Sequence, residues 1–434
     1  MTVRRRSALT KAVTAAVACA AVLSGCGIMP GTAEAGNDPI TVMTWAPEGT
    51  KATNMPGMPG MAKAYARWIN AEGGINGRPL KVLTCNDHND TVSAARCAAR
   101  ATKEEVVAVV GSYSQHGRSF MSGLESAGIP YIGGYGVADE EFSSPLSYPV
   151  NGGLPALVAG NGRQLAAGGC GHVSLVRPDT IAGDQLPPLL NAGLADGGAG
   201  PAKDVRAAED ASAYTRQAHQ ALAGAGADPE RYGLARYGGS TEDGCVTAVL
   251  GGRTDTFFDS FRRVQEDSPR VRTASVLGSL RQSLVDRSGG RRSPLEGAYA
   301  TGWYPVASDP RWGPMKDVIR EHAFGDNHVD GSDPGVQTTW VAYTVLRQVL
   351  RSLDGEPVTA KSVRRALDNG APVGTGGLTP KLNWSFGNML AAREFPRIVN
   401  TMVTYQRVRD GRLTPVREGF VDLAKTLEGD PTTS

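Results

Sequence analysis

LKVLTCNDHNDTVSAARCAARATKEEVVAVVG, running from Leu80 to Gly111, decides the fold class. Leu80 to Thr84 is a short β-rich run, Thr91 to Lys103 has the spacing of an amphipathic helix, and Val106 to Val110 is apolar throughout. A strand with no polar alternation is covered on both faces, which is the condition of parallel strands in a helix-flanked sheet. The stretch therefore reads as a βαβ unit.

The alternation continues in both directions. Upstream, Ile40 to Thr44 reads as a strand and Met61 to Asn70 as a helix, with Met61, Tyr65 and Trp68 or Ile69 on one face and Gly73-Gly74 at its stop. Downstream, Ser119 to Ala127 is a helix and Ile129 to Ile132 a strand. Near Tyr148 to Gly153 the pattern restarts, with helices over Leu154 to Ala167, Gln185 to Ala192, Ala213 to Ala223 and Phe257 to Gln265. Strands are expected at Val173 to Val176, Val246 to Leu250 and Ala274 to Leu277. A strand-like crossover at Ala298 to Trp303 precedes a long helix, Val336 to Leu353, whose apolar side carries Val341, Val345 and Val349. A helix over Ala360 to Asn369 and a strand over Val399 to Val408 complete the chain. Repetition of one βα design implies an α/β protein of two doubly wound parallel-sheet lobes.

The first residues address location. Arg4, Arg5, Arg6 and Lys11 precede an Ala/Val-rich run, Ala12 to Val22, which ends in Leu23-Ser24-Gly25-Cys26. A basic start, a short apolar run and small residues form a secretory signal, and the run is too short to span a bilayer. The ending resembles the lipobox of bacterial lipoproteins, which makes Cys26 the expected lipidated N-terminus. The alternative is ordinary cleavage near Ala33-Glu34-Ala35 with Cys26 incidental. No other segment reaches the roughly 20 consecutive apolar residues of a membrane span.

A length of 434 residues allows two or three domain-sized units. Four of the 45 Lys and Arg and none of the 43 Asp and Glu lie before Cys26, so the chain from there on carries a net −2. Without a basic stripe, nucleic acid has no electrostatic purchase. Setting aside Cys19 and Cys26, four of the six cysteines remain: Cys85, Cys97, Cys170 and Cys245. An even remainder outside the cytoplasm reads as two disulfides. Cys85 follows the expected strand Leu80 to Thr84 and Cys97 lies in the next helix, which favours Cys85–Cys97 with Cys170–Cys245 among the three pairings. A zinc site lacks CxxC spacing and a His pair.

Ile69-Asn70-Ala71-Glu72-Gly73-Gly74-Ile75-Asn76-Gly77-Arg78-Pro79-Leu80 resembles the link between first helix and second strand in periplasmic solute-binding proteins of the leucine/isoleucine/valine-binding type. Val109-Val110-Gly111-Ser112 and Ala127-Gly128-Ile129-Pro130-Tyr131-Ile132, with their spacing, are similar to that family too. The resemblance spans the chain beyond the signal and is specific in the first lobe. It implies the type 1 periplasmic-binding fold, two αβα lobes hinged by three crossovers with ligand held between them. The parts would be a signal peptide over 1–25, a tether over 26–38, a first lobe over 39–150 plus 305–378, and a second over 151–304 plus 379–434.

Open parallel sheets bind ligands beyond the carboxyl ends of their strands. In the first lobe the loops there are Thr44-Trp45-Ala46, Gly111-Ser112-Tyr113-Ser114-Gln115 and Gly133-Gly134-Tyr135-Gly136. Trp45, Ser112, Tyr113, Ser114, Gly134 and Tyr135 are the expected ligand-binding residues. Free N–H groups at a helix start, with the hydroxyls of Ser112 and Ser114, suit a carboxylate, and the resembled family holds its ligand carboxylate on the matching loop. The serines equally suit helix capping. In the second lobe, Asp179 stands where the family has an aromatic residue, Arg253 where it has a tyrosine, and Ser279 near its acidic residue. A lost acid and a gained guanidinium favour an acidic or polyhydroxylated ligand over a branched-chain amino acid. Arg253 is equally readable as a solvated loop residue.

His88, inside Asn86-Asp87-His88-Asn89-Asp90, reads as part of a turn and helix cap, since neighbouring side chains in one turn seldom converge on a metal. Asp326, Asp330, Gly331 and Asp333 form an acidic loop without the terminal Glu of an EF-hand, and read as surface. Gly-x-Ser-x-Gly, Ser-x-x-Lys and the phosphate-binding Gly-rich loop do not occur. The expectation is a non-enzymatic, monomeric lipoprotein on the outer face of the bacterial cell membrane. It would need no cofactor or metal, capture a small polar solute, amino-acid-like or acidic, and pass it to an ABC permease. A sensor signalling to a membrane partner and a secreted enzyme on the same scaffold are the alternatives.

Overall fold

A computed structural model describes residues 38–51, 53–227, 240–265, 270–326 and 328–429. The expected signal, Cys26 and most of the tether lie outside the described residues.

Two sheets organise the chain. The first contains β1 (Ile40–Trp45), β2 (Leu80–Cys85), β3 (Val109–Val110), β4 (Tyr131–Ile132) and β5 (Ser147–Tyr148), all parallel, in the order β2-β1-β3-β4-β5. The second contains β6 (His172–Pro178), β7 (Lys203–Ala207), β8 (Ser240–Ala248), β9 (Arg270–Val276) and β10 (Tyr299–Gly302), parallel in the order β7-β6-β8-β9-β10. The second sheet thus repeats the winding of the first. It is extended by antiparallel β11 (Met402–Arg409), with β12 (Arg412–Pro415) and β13 (Val421–Asp422) paired to β11. In each lobe the strand order reverses beside the first strand, between β1 and β3 and between β6 and β8, where a crevice opens at the carboxyl edge.

Local chemistry explains the helices. Thr91–Lys103 is capped by the Asp90 carboxylate, which accepts from Ser93 N at 2.8 Å, and it buries Ala94, Cys97, Ala98 and Ala101 at helical spacing. Pro334–Ser352 starts with proline in its first turn behind Asp333, whose Oδ1 accepts from Gly335 N at 2.8 Å and Val336 N at 3.3 Å. Both disulfides of the favoured pairing are present, Cys85–Cys97 and Cys170–Cys245.

Three crossovers join the sheets and are bonded to one another. Trp384 Nε1 donates to Pro149 O at 3.0 Å and Asn400 Nδ2 to Val150 O at 3.0 Å. Trp303 Nε1 donates to Gly153 O at 2.9 Å, and Asn151 Nδ2 donates to the Tyr304 hydroxyl at 3.0 Å.

Some elements differ from expectation. The first helix is Gly57–Ala71, longer than Met61 to Asn70. Glycine argues against a helix start, but a Cβ at Gly57 would lie 2.8 Å from His328 O and one at Gly60 2.6 Å from Val329 Cγ2. Close approach of another segment, not propensity, sets these residues. The Val106 to Val110 run shrinks to a two-residue β3, although Val107 N still donates to Thr41 O at 2.9 Å. The sequence reading missed β5, β7, β12, β13 and the helix Gly313–His322, because short or edge strands and mixed polar helices carry weak periodicity.

Candidate functional site

The carboxyl edges of the two sheets face each other. Tyr135 follows β4 and Gly278 follows β9, and a Cβ placed on Gly278 would stand 2.4 Å from Tyr135 Oη and 3.9 Å from Pro334 Cγ. Next to them Arg281 Nη1 donates to Asp333 Oδ2, an ion pair joining the loop after β9 to the start of the Pro334–Ser352 helix. Arg253 adds a second link, with Nε donating to Glu209 O at 3.1 Å and Nη2 to Lys51 O at 3.4 Å, so it has structural partners in both sheets' loops.

On the first side, Trp45 turns its indole away from this gap, with Phe120 edge-on at 5.2 Å and Tyr131 at 5.9 Å. Its backbone N–H donates to Ser112 Oγ at 3.0 Å and its carbonyl accepts from Tyr113 N at 3.0 Å, which locks the loops after β1 and β3 together. Ser112 and Ser114 are buried. Ser114 Oγ accepts from His116 N at 3.2 Å, and its hydroxyl faces the Asp87 carboxyl, whose pKa it holds down against burial. The following helix begins at Gly117, so neither serine is its N-cap. Among the described residues, no group accepts from the backbone N–H of Ser114 or Gly134.

Tyr113 and Tyr135 pack edge-to-face at 5.2 Å, and Tyr135 meets Trp303 at 5.0 Å. Gln115 Nε2 donates to the Tyr113 hydroxyl at 3.0 Å, while burial pushes that phenol up to about 12. Burial likewise holds the Tyr135 phenol well above its ordinary value. Both stay neutral donors at physiological pH. Gly134 cannot carry a side chain, because its Cβ would lie 1.9 Å from Glu141 Oε2. That carboxylate accepts from Gly136 N at 3.0 Å, Val137 N at 2.9 Å and Ala138 N at 3.1 Å, and fixes the loop bearing Tyr135. Burial raises the Glu141 carboxyl to about 7 against those bonds, which oppose the rise.

On the second side, the half-exposed Asp179 side chain faces Arg206 at 3.5 Å, and Asp179 N donates to Ala207 O. Ser279 Oγ accepts from Gly251 N at 3.1 Å, bracing the loop that carries Arg253. The structure thus brings Ser112, Tyr113, Ser114, Gly134 and Tyr135 into one connected loop pair. Asp179 belongs to a separate surface network with Arg206 and Asp184.

Arg281 and Asp333 were missed. Asp333 is no surface residue, its side chain being 13% exposed. The signal was there: Asp before Pro at a helix start is an N-cap pattern, and a capped helix end is half buried by its own helix. His88 and Asn89 take left-handed backbone at φ 48° and 53° in the turn before the Asp90 cap. Among the described residues no cluster of three or more His, Cys, Asp or Glu is placed to hold a metal ion. A cavity of about 770 Å³ lies elsewhere, between the helices Thr254–Gln265 and Gln282–Arg287, and shares no lining residue with the strand-end loops.

Two doubly wound lobes meeting at their carboxyl edges across a triple hinge define the type 1 periplasmic-binding fold. The chain belongs to the periplasmic binding protein family, whose model matches residues 43–390. An extracellular ligand-binding receptor from Verminephrobacter eiseniae superposes with a TM-score of 0.68 at 13% identity, covering 87% of this chain and 99% of that one. A leucine binding protein from Thermotoga maritima gives 0.65 at 14% identity, with 88% and 99% covered. A solute binding protein of an ABC transporter from Rhodopseudomonas palustris, in complex with 3,4-dihydroxybenzoic acid, gives 0.66 at 13% identity, with 92% and 100% covered. At these identities the likeness is one of fold. A sequence comparison with curated proteins finds no match. Family membership implies an extracytoplasmic location, and among the described residues no helix is long and apolar enough to cross a membrane.

Proposed function

We propose that this protein is a non-enzymatic solute-binding lipoprotein. It closes its two lobes, 39–150 plus 305–378 and 151–304 plus 379–434, on a small polar solute and delivers it as a monomer to an ABC permease. The observation that carries this reading is the meeting of both carboxyl edges at Tyr135 and Gly278, where doubly wound sheets bind ligands. The solute sits against Ser112, Tyr113, Ser114, Gly134 and Tyr135 on one side and Arg253 and Ser279 on the other; of the remaining expected residues, Trp45 contributes only its backbone, which braces Ser112, and Asp179 lies in its own surface network with Arg206. Since the serine hydroxyls are engaged internally, the backbone N–H groups of Ser114 and Gly134 are the better donors to an anionic group. Leucine and 3,4-dihydroxybenzoic acid, named for two proteins of this fold, share only a carboxylate, which fits an amino-acid-like or acidic solute. Removal of 1–25 and lipidation of Cys26, ahead of a 26–38 tether, hold the protein at the outer face of the cell membrane.

The test is a thermal-shift screen against amino acids, dicarboxylates, sugars and amides, followed by small-angle scattering with each hit. A ligand bound only by the folded state raises the apparent stability by RT ln(1 + [L]/Kd). The expected result is at least one stabilising solute that also reduces the radius of gyration. Stabilisation without compaction, or no stabilising solute, overturns the reading.

A further inference from the structure

We infer that Arg281 and Tyr135 form a carboxylate-recognising subsite between the lobes, with Asp333 as the positioning residue for the guanidinium; the inference rests on the solute-binding reading above. Arg281 uses a single N–H in the structure, Nη1 to Asp333 Oδ2, and among the described residues no group accepts from its Nε or Nη2. The free edge of a planar guanidinium whose other edge is tethered is suited to two parallel hydrogen bonds to a carboxylate. Tyr135 Oη also makes no hydrogen bond to the chain, and its ring is fixed between Tyr113 and Trp303. Gly278 brings these groups into one place. Tyr135 Oη and Pro334 Cγ lie 2.4 and 3.9 Å from the point where a Gly278 Cβ would stand, and Asp333, the residue before Pro334, holds Arg281.

The charge balance favours an anion there. Asp333 offsets one positive charge, but its Oδ1 is spent on Gly335 N and Val336 N at the start of the 19-residue Pro334–Ser352 helix. The helix end contributes about half a positive charge. Asp330, whose carboxylate also acts on Asp333, is engaged by Ser332 N and Oγ in the loop before the helix. Three donor atoms with no acceptor on the chain, two of them on a guanidinium, select an acceptor bearing negative charge, so the substrate class is an organic acid. A neutral amide of the same shape keeps one acceptor oxygen but turns an N–H towards the Arg281 guanidinium, which can only donate.

The experiment is calorimetry on the purified protein with valine, 3,4-dihydroxybenzoate and glutarate, each beside its amide, in wild type, Arg281→Gln and Tyr135→Phe. Tyr135→Phe removes one hydroxyl from an otherwise unchanged ring, so it keeps the question open should Arg281→Gln fail to fold. The expected result is that one of the acids binds and its amide does not. Arg281→Gln should then weaken the acid by about 10- to 100-fold and Tyr135→Phe by about 3- to 10-fold. An amide that binds as well as its acid, or unchanged acid affinity in Tyr135→Phe, overturns the subsite and leaves the solute-binding reading standing. Binding of none of the acids overturns the subsite, while the wider solute screen above still decides the reading.

Discussion

Tyr135 Oη occupies the space that any side chain at position 278 would need: a Cβ there would lie 2.4 Å from the hydroxyl, and Gly278 adopts a φ of +97°, which favours glycine. One residue therefore sets both the shape of the loop after β9 and the closeness of the two sheet edges.

Gly278→Ala should destabilise the protein by about 1–3 kcal/mol, through left-handed strain and the clash. Adding Tyr135→Phe should recover the clash portion alone, because the next ring atom, Cζ, is 3.7 Å from the added carbon. Chemical denaturation of both variants measures this. Additive effects would show that the two residues do not meet in solution.

Asp333 both caps the Pro334–Ser352 helix and holds Arg281. Asp333→Asn keeps a competent cap and loses the ion pair, with an expected cost of about 1–2 kcal/mol; Asp333→Ala loses both and should cost about 2–4 kcal/mol. Equal losses would mean that only the ion pair matters.

Glu141 gives a pH signature. Its carboxyl titrates near 7 when folded, against an ordinary 4.5. Between these values the folded chain holds the extra proton, so this group's stabilising contribution is full below about 4.5 and is lost as pH rises through about 7. Unfolding free energy of wild type minus that of Glu141→Gln should fall by on the order of 3 kcal/mol across the window. A difference that is flat with pH would show that the carboxylate is already ionised at the low end.

The two disulfides should differ in weight. Cys170–Cys245 spans 75 residues and Cys85–Cys97 spans 12. On the chain-entropy model these are worth about 4.5 and about 3 kcal/mol. Calorimetry on paired Cys→Ser variants should rank them in that order, and the reverse order would place their main effect in the folded state.

Cys26→Ser should release the protein from the membrane fraction, read by fractionation and mass spectrometry of the N-terminus. A variant that stays membrane-bound with unchanged processing would remove the lipid anchor from the proposal.

The chain's βα alternation is local, and local pattern sufficed for it. The apolar run ending at Val110, the Asp90 cap before Thr91 and the helix Ala360–Asn369 each declare themselves within a dozen residues, as hydrophobic period and capping chemistry act over that range. The loops after β3 and β4 were legible for the same reason, since the ends of parallel strands mark them. What those side chains do was decided elsewhere. Ser112 is engaged by Trp45, 67 residues away, and Asp333 meets Arg281 across 52 residues. Glycine stands at 57 and 60, inside the first helical turn, because the 328–329 segment approaches too closely for a Cβ there. Contacts between distant segments carry no periodic signature in the sequence; they come into being when the crossovers bring two sheet edges together, and that packing fixed which hydroxyls were bound internally and which donors stayed free.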